Sequence, residues 1–251
     1  VIPSFFSLLE EGRYPHDGWN EVLKYNSKLA GRALAESLGV PTHRLFQVGK
    51  MADLVPPDEP FVLKPNNGSS SIGVFPLIPQ DDGTYVDAWN GKRGRWGYWM
   101  KRAYEAKRPN IAPLWDQPSH PWLIEEYRPA IEYKVYAFHG EVGFVMQYRR
   151  VRRGRYVIKY WSPDWEHIGD ISQKRPYDST LPPPENGDVI LENAAKVSAA
   201  LPAPFARVDM YEGGIFGEIT PRPGGKTRYV DEWDQRLGEM WVRAEQRLRA
   251  A

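Results

Sequence analysis

FARVDMYEGGIFGEITPRPGG, residues Phe205 to Gly225, decides how the rest of this sequence is understood. Apolar and polar residues alternate on either side of Glu212-Gly213-Gly214, and a Gly-Gly pair between two such runs signals a tight turn between strands. A hairpin closing there sets Asp209 of the first strand beside Glu218 of the second. Neighbouring carboxylates repel, so an interior pair is tolerated only with a cation or a shared proton. Mg²⁺ takes hard oxygen ligands, commonly one or two carboxylates completed by phosphate oxygens. Taken alone the stretch also fits a surface hairpin with two solvated acids, followed by a Pro/Gly-rich loop. The remainder of the chain has to discriminate.

The chain has 251 residues, 41% of them hydrophobic, enough for one large domain or two small lobes. A net charge of +1 gives no global field for a nucleic acid. The absence of Cys excludes a disulfide scaffold, thiolate catalysis and Cys-ligated metals, and fits a reducing compartment, so a cytoplasmic location is expected. No segment resembles a signal peptide and no apolar run has the length of a membrane span. The five His lack a ligand spacing such as HExxH, which argues against zinc.

Working outward, Ile2–Glu11 reads as a short amphipathic helix closed by Gly12. Glu21–Leu38 reads as one helix ended by Gly39, with Leu23, Leu29, Ala30, Ala33, Leu34 and Leu38 on its apolar stripe and Lys28 among its charges. Phe61–Lys64 is a short buried strand that runs into PNNGSSSIGV, Pro65 to Val74. Gly and Ser cannot fill a core; they let backbone N–H groups and hydroxyls approach an anion. With Lys64 entering it, that loop suggests a flap over phosphates, the alternative being an ordinary flexible hairpin. It has neither the GK[ST] of a P-loop nor a dinucleotide fingerprint, and no GxSxG elbow makes a nucleophile of Ser69, Ser70 or Ser71. Trp122–Glu126, WLIEE, is a strand ending in two acids; EYKVYAF and EVGFVMQY follow as strands turning at Gly140. Arg149, Arg150, Arg152, Arg153 and Arg155 surround Gly154 at a hairpin tip, which suits an anionic ligand or a solvated, aggregation-resistant tip. Val189–Leu201 and Glu232–Ala250 complete the helices.

A helix with a lysine, a strand with a lysine, a Gly/Ser loop, an acidic strand end and a carboxylate hairpin with PGG occur in the order of the ATP-grasp superfamily, which the chain resembles from about Asn26 to Trp241. NSKLAGRALAESLGVPT looks like the segment with the first nucleotide lysine, Lys28, and FVLKPNNGSSSIGV like the second lysine strand, Lys64, with its phosphate flap of Ser69, Ser70, Ser71 and Gly73. WLIEEYRPAIEYKV looks like the adenine hinge: Glu125 and Tyr127 would frame the base, backbone groups around Glu126–Arg128 would bind it, and Glu132 matches the ribose-binding glutamate. ARVD and GEITPRPGG look like the segments with the arginine, Arg207, and the metal carboxylates, Asp209 and Glu218. Thr220 stands where most members have an asparagine metal ligand, and only 27 residues precede Lys28, so most of the usual N-terminal preceding domain is absent from this sequence. YWSPDW at 160–165, the Glu218–Thr220 triplet with its PG loop, and Asp234–Gly238 are closest to the teichuronopeptide-biosynthesis-type subgroup.

The resemblance implies an α+β fold of two lobes that clamp ATP. The expected segments are a helical extension over 1–27, an N-lobe over 28–122, and the hinge with the metal-bearing C-lobe over 123–251. It implies an ATP-dependent carboxylate–amine ligase using Mg²⁺ or Mn²⁺ on Asp209, Glu218 and Thr220 and passing through an acyl phosphate. Arg207 would steady the transferred phosphoryl group; from their positions in the chain rather than from the resemblance, Arg149, Arg150 and Arg222 are candidates to grip a substrate carboxylate and Lys159 to touch phosphate. The expected partners are a small-molecule, peptide or glycan carboxylate and an amine, with no nucleic acid. A kinase on the same fold and a non-catalytic nucleotide-binding relative are the alternatives.

Overall fold

The computed structural model describes residues 2–12, 18–68, 71–106, 121–129, 131–152, 154–172, 176–223 and 228–250. They fall into two compact units, Val1–Thr42 with Ala130–Val151 and Arg155–Ala251, and His43–Pro129 with Arg152–Gly154.

The first unit is built on a five-stranded sheet. Its strands are β7 (Glu132–Phe138), β8 (Glu141–Arg152), β9 (Arg155–Trp161), β10 (Ala206–Tyr211) and β11 (Ile215–Thr220), in the order β11-β10-β7-β8-β9. The β11/β10, β10/β7 and β7/β8 pairs are antiparallel. Two-residue periodicity sends Val208 and Met210 into a core where α5 (Gly187–Ala199) packs through Ile190, Ala194 and Val197. The other face holds an aromatic cluster around Phe5 of α1 (Phe5–Glu11), whose ring meets Phe138, Phe205 and Trp241 edge-on. Burying such a ring contributes about 1.5–3 kcal/mol. Helix α6 (Asp231–Ala250) supplies Trp241, and its acidic first turn and basic last turn complement the helix dipole. Its Asp234 Oδ1 accepts from Phe6 N–H at 2.9 Å, and a Cβ at Gly238 would lie 2.2 Å from Pro3 O. The D-x-x-L-G segment, taken as a subgroup mark, thus docks the N-terminal helix.

The sequence predicts one helix over Glu21–Leu38, but the chain forms α2 (Gly18–Leu23), a 3₁₀ turn (Lys24–Asn26) and α3 (Lys28–Ser37). The break is at Ser27, which is extended (φ −67°, ψ 124°) and whose Oγ accepts from Ala30 N–H at 3.3 Å. A serine that binds nearby backbone donors favours a cap over a helix interior. Helix α3 packs on β11, and Phe216 N–H donates to Pro41 O at 2.8 Å. The segment with Lys28, expected in the lobe of Lys64, is therefore in the unit of Asp209.

The second unit is a six-stranded antiparallel sheet in the order β1-β6-β2-β3-β4-β5. Its strands are β1 (Leu45–Gly49), β2 (Phe61–Pro65), β3 (Phe75–Pro79), β4 (Tyr85–Asp87), β5 (Arg93–Gly94) and β6 (Trp122–Glu126). Phe61, Leu63, Phe75, Leu77, Trp122 and Ile124 form its core with Trp99 and Ala103 of α4 (Trp96–Glu105). The Trp99 indole N–H is shared between Tyr85 O and Gly94 O at 3.2 and 3.1 Å. No helix among the described residues is long and apolar enough to cross a membrane.

Candidate active site

The β10/β11 hairpin closes through a 3₁₀ turn at Glu212–Gly214, where Gly213 and Gly214 take φ of 74° and 71°. The register sets Asp209 opposite Glu218 and Arg207 opposite Thr220, then shifts by one residue. Gly217 is the extra residue of this bulge; a Cβ there would stand 2.9 Å from Asp209 O and 2.8 Å from the Tyr211 ring. On the other side of β10, Asp209 faces Lys134 and Tyr211 faces Glu132 of β7. One face of three adjacent strands therefore carries Glu132, Lys134, Arg207, Asp209, Glu218 and Thr220.

Asp209 is the hub. Its Oδ1 accepts from Arg207 Nε at 2.6 Å, and its Oδ2 accepts from Arg207 Nη2 at 2.8 Å and Lys134 Nζ at 2.6 Å. Lys134 also donates to Glu132 Oε2 at 2.7 Å, and Arg207 Nη2 donates to Thr220 Oγ1 at 3.0 Å. Glu218 sits at longer range, 3.7 Å from Lys28 Nζ and 3.8 Å from Arg207 Nη2, with 38% of its side chain exposed against 6% for Asp209. Burial alone would raise the Asp209 carboxyl; Arg207 and Lys134 outweigh it and hold the group below the ordinary carboxylate range. Burial likewise works against the charges on Lys134 and Arg207, and Asp209 above all keeps both protonated. The carboxylates Glu132, Asp209 and Glu218 thus meet the cations Lys28, Lys134 and Arg207. Among the described residues no three His, Asp or Glu side chains form a ready metal cage.

In the second unit Lys64 of β2 and Glu125 of β6 form a direct ion pair, with side chains 12% and 13% exposed. Val62 faces Glu125 and Lys64 faces Leu123 across the strands, so both charged groups lie on the face away from α4. Glu126 Oε1 accepts from Arg128 Nε at 2.8 Å, and this bond outweighs burial to lower the Glu126 carboxyl. The Glu126 and Tyr127 N–H groups donate to Arg44 O at 2.8 Å and Pro60 O at 3.1 Å, so two backbone donors expected to hold a base are committed inside the unit. Past β2, Ser71 and Gly73 have φ of 58° and 73°, and Val74 N–H returns to Ser71 O at 3.3 Å. Ser69 and Ser70 lie outside the described residues.

Residues 36–242 match the family described as TupA-like ATPgrasp. The chain belongs to the TupA-like ATP-grasp family. The match bears out both the superfamily and the subgroup that the motifs suggest, and it begins after Lys28. Among solved structures the chain is similar to a D-alanine–D-alanine ligase from Bacillus anthracis, with 16% identity, a TM-score of 0.56, and 98% of this chain and 76% of that one covered. It is also similar to the VanG D-Ala:D-Ser ligase from Enterococcus faecalis, with 14% identity, a TM-score of 0.52, and coverage of 88% and 61%. An L-amino acid ligase from Bacillus licheniformis aligns at 14% identity and a TM-score of 0.50, over 85% of this chain and 46% of that one. At such identities the likeness shows the fold, α+β of the ATP-grasp kind. No curated protein matches.

The remaining expected site residues of this TupA-like chain divide between the faces of the sheet. Arg149 and Arg150 are consecutive in β8 and point to opposite sides. Arg150 lies 5.5 Å from the centre of the Tyr148 ring, and Tyr148 faces Glu132, so Arg150 shares the carboxylate face. Arg149 pairs instead with Asp178 at 3.0 Å. Lys159 is buried; it donates to Leu181 O at 2.7 Å and lies 4.2 Å from the Trp161 ring centre. The Trp161 indole N–H bonds Gln147, whose partner across β7 is Tyr133, which places Lys159 on the side away from Asp209. Arg222, just past β11, is exposed. Arg153 and the Gly224-Gly225 pair lie outside the described residues. Lys134 is the residue that sequence reasoning missed. Its signal was present in EYKVYAF, where Glu132 and Lys134, two apart in a strand, share a face.

Proposed function

We propose that this TupA-like chain is an ATP-dependent ligase that joins a carboxylate to an amine through an acyl phosphate, in peptide or polysaccharide modification. The observation that carries the reading is the cross-strand pair of Asp209 and Glu218, embedded among Lys28, Lys134 and Arg207 on one sheet face.

The charge balance of that face bears on what it would bind. A triphosphate brought to it finds Lys28, Lys134 and Arg207 already facing carboxylates, as Lys64 of the second unit faces Glu125. A divalent ion travelling with the nucleotide would offset the charge of those carboxylates. The donor set fits Mg²⁺ or Mn²⁺, which commonly use one or two carboxylates and leave the other positions to phosphate and water. When bound, the metal would neutralise charge on the β- and γ-phosphate oxygens. In the first unit Lys28 would bind phosphate and Glu132 the ribose; in the second, Lys64 and the Ser69–Gly73 segment are the phosphate-binding candidates. Arg207, held in a fixed plane by Asp209 and Thr220, presents its guanidinium to the transferred phosphoryl group. Arg150 and exposed Arg222 would orient the substrate carboxylate; Arg149, paired with Asp178 on the other face, would not. The γ-phosphoryl passes to the carboxylate oxygen, the amine attacks the acyl carbon, and inorganic phosphate leaves. Positioning and electrostatics suffice for this chemistry, so no protein nucleophile is required.

Incubation with ATP, Mg²⁺, hydroxylamine and a panel of carboxylic acids tests the proposal. Hydroxamate formed with one class of acid supports the acyl phosphate and names the donor. ADP release with a stable phosphorylated product and no hydroxamate replaces the ligase by a kinase.

A further inference from the structure

We propose that Lys134 is a built-in monovalent cation standing where a second divalent ion would sit on Asp209, so that the carboxylate face takes one metal, through Glu218, and not two. The inference rests on the reading of Asp209 and Glu218 as a cation platform.

The oxygen count carries it. A carboxylate offers about four lone-pair directions, and three hydrogen bonds already converge on Asp209 from Arg207 Nε, Arg207 Nη2 and Lys134 Nζ. Lys134 is not a loose substituent. Its side chain is 12% exposed, its ammonium bridges Asp209 at 2.6 Å and Glu132 at 2.7 Å, and the ring of Tyr148 lies 5.1 Å from Nζ. Withdrawing it would take the ammonium from Glu132 and one of three hydrogen bonds from Asp209. Thr220, standing where a further ligand is usual in the superfamily, has its hydroxyl oxygen bonded to Arg207. Glu218 differs from both. It is half-exposed, and its ion-pair distances of 3.7 and 3.8 Å leave its oxygens open to a metal. Lys134 thus supplies permanently, as part of the chain, one of the two charges that a pair of metals would bring.

Counting Mn²⁺ on the full chain tests this, with electron paramagnetic resonance reporting unbound Mn²⁺ and the non-hydrolysable analogue AMP-PNP as nucleotide. The wild type should hold one Mn²⁺ per bound AMP-PNP, Lys134→Met two, and Lys134→Met/Asp209→Asn one again. Two ions on the wild type, or no gain in Lys134→Met, overturns the proposal. A nucleotide-free arm separates it from the ligase reading. There Lys134→Met should melt roughly 5–10 °C below the wild type. Millimolar MnCl₂ should restore most of the loss, while the wild type shows no gain over NaCl of equal ionic strength. Equal responses of the two chains again overturn it. If AMP-PNP binds neither chain but Mn²⁺ rescues the variant, the ligase reading falls and the Lys134 assignment stands. If Lys134→Met does not fold, Lys134→Gln replaces it in both arms, and the wild-type count remains decisive.

Discussion

Each unit of this chain carries a half-buried lysine paired with carboxylate, and the two are held differently. In the second unit Lys64 meets one carboxylate, Glu125, across adjacent strands. In the first, Lys134 and Arg207 share Asp209, and the bonds continue to Glu132 and Thr220, so β7, β10 and β11 are tied at one point. A pair can open by moving a single side chain. A shared hub cannot, because its centre is bonded to two cations at once. The pair is therefore suited to releasing Lys64 toward a ligand, and the hub to holding Arg207 still.

Removing the hub should give the largest effect. Asp209→Asn leaves Arg207 facing a neutral amide and Lys134 with Glu132 alone, and breaking such an arrangement costs about 3–5 kcal/mol. Denaturant unfolding at neutral pH measures this, and a loss below about 1 kcal/mol would show that solvent reaches the cluster. Turnover should drop about 10²–10³-fold as Arg207 loses its fixed orientation. The same group gives an acid limit. Its folded pKa lies below the unfolded carboxylate value of about 3.9. Its stabilisation is then complete above the unfolded value and is lost as pH falls through the folded one. Unfolding free energy should fall below about pH 4, and the slope there should be shallower for Asp209→Asn than for the wild type.

Lys64→Met tests the pair. One stranded carboxylate, Glu125, should cost about 2–3 kcal/mol, less than the hub. The sharper contrast concerns binding. Glu125→Gln frees the ammonium from its partner, and Mg²⁺-dependent AMP-PNP affinity should hold steady or rise by a few fold. Affinity lost as completely in Glu125→Gln as in Lys64→Met would mean that the pair acts as a rigid unit, like the hub.

The comparison also explains what the sequence alone could convey. The Glu212-Gly213-Gly214 turn fixes the register of its own hairpin, so Asp209 beside Glu218 followed from local signals. Glu125, Lys64 and Glu132 were legible because each sits at a strand position with a definite motif around it. For Lys134 only its place on the face of Glu132 was legible; its bond to Asp209 arises from β7 lying beside β10, a pairing across more than 60 residues that no local pattern encodes. The same holds for the division of Arg149 from Arg150: both were legible as a basic run, but only the sheet decides which face each serves. The break at Ser27 was missed because the apolar stripe continues across it, while the cap depends on one hydroxyl reaching Ala30. Asp234 and Gly238 were legible as a motif and not in their work, which needs the distant residues Pro3 and Phe6.

The smallest expected effect comes from Thr220→Val, and it separates two roles for one hydroxyl. If Thr220 serves the hub, the substitution removes one acceptor from Arg207, which keeps its two bonds to Asp209. The loss should then be about 1 kcal/mol, the usual net worth of a single hydrogen bond. The Mg²⁺ concentration for half-maximal AMP-PNP binding should move less than about threefold, since that corresponds to well under 1 kcal/mol. If Thr220 ligates a metal instead, the pattern reverses: stability changes little, and half-saturation moves about tenfold or more for each 1.4 kcal/mol of lost coordination. The 3.0 Å bond to Arg207 favours the first outcome. Measuring both quantities on the one variant is decisive, because the two roles predict opposite orderings of the stability and metal effects, whatever their absolute sizes.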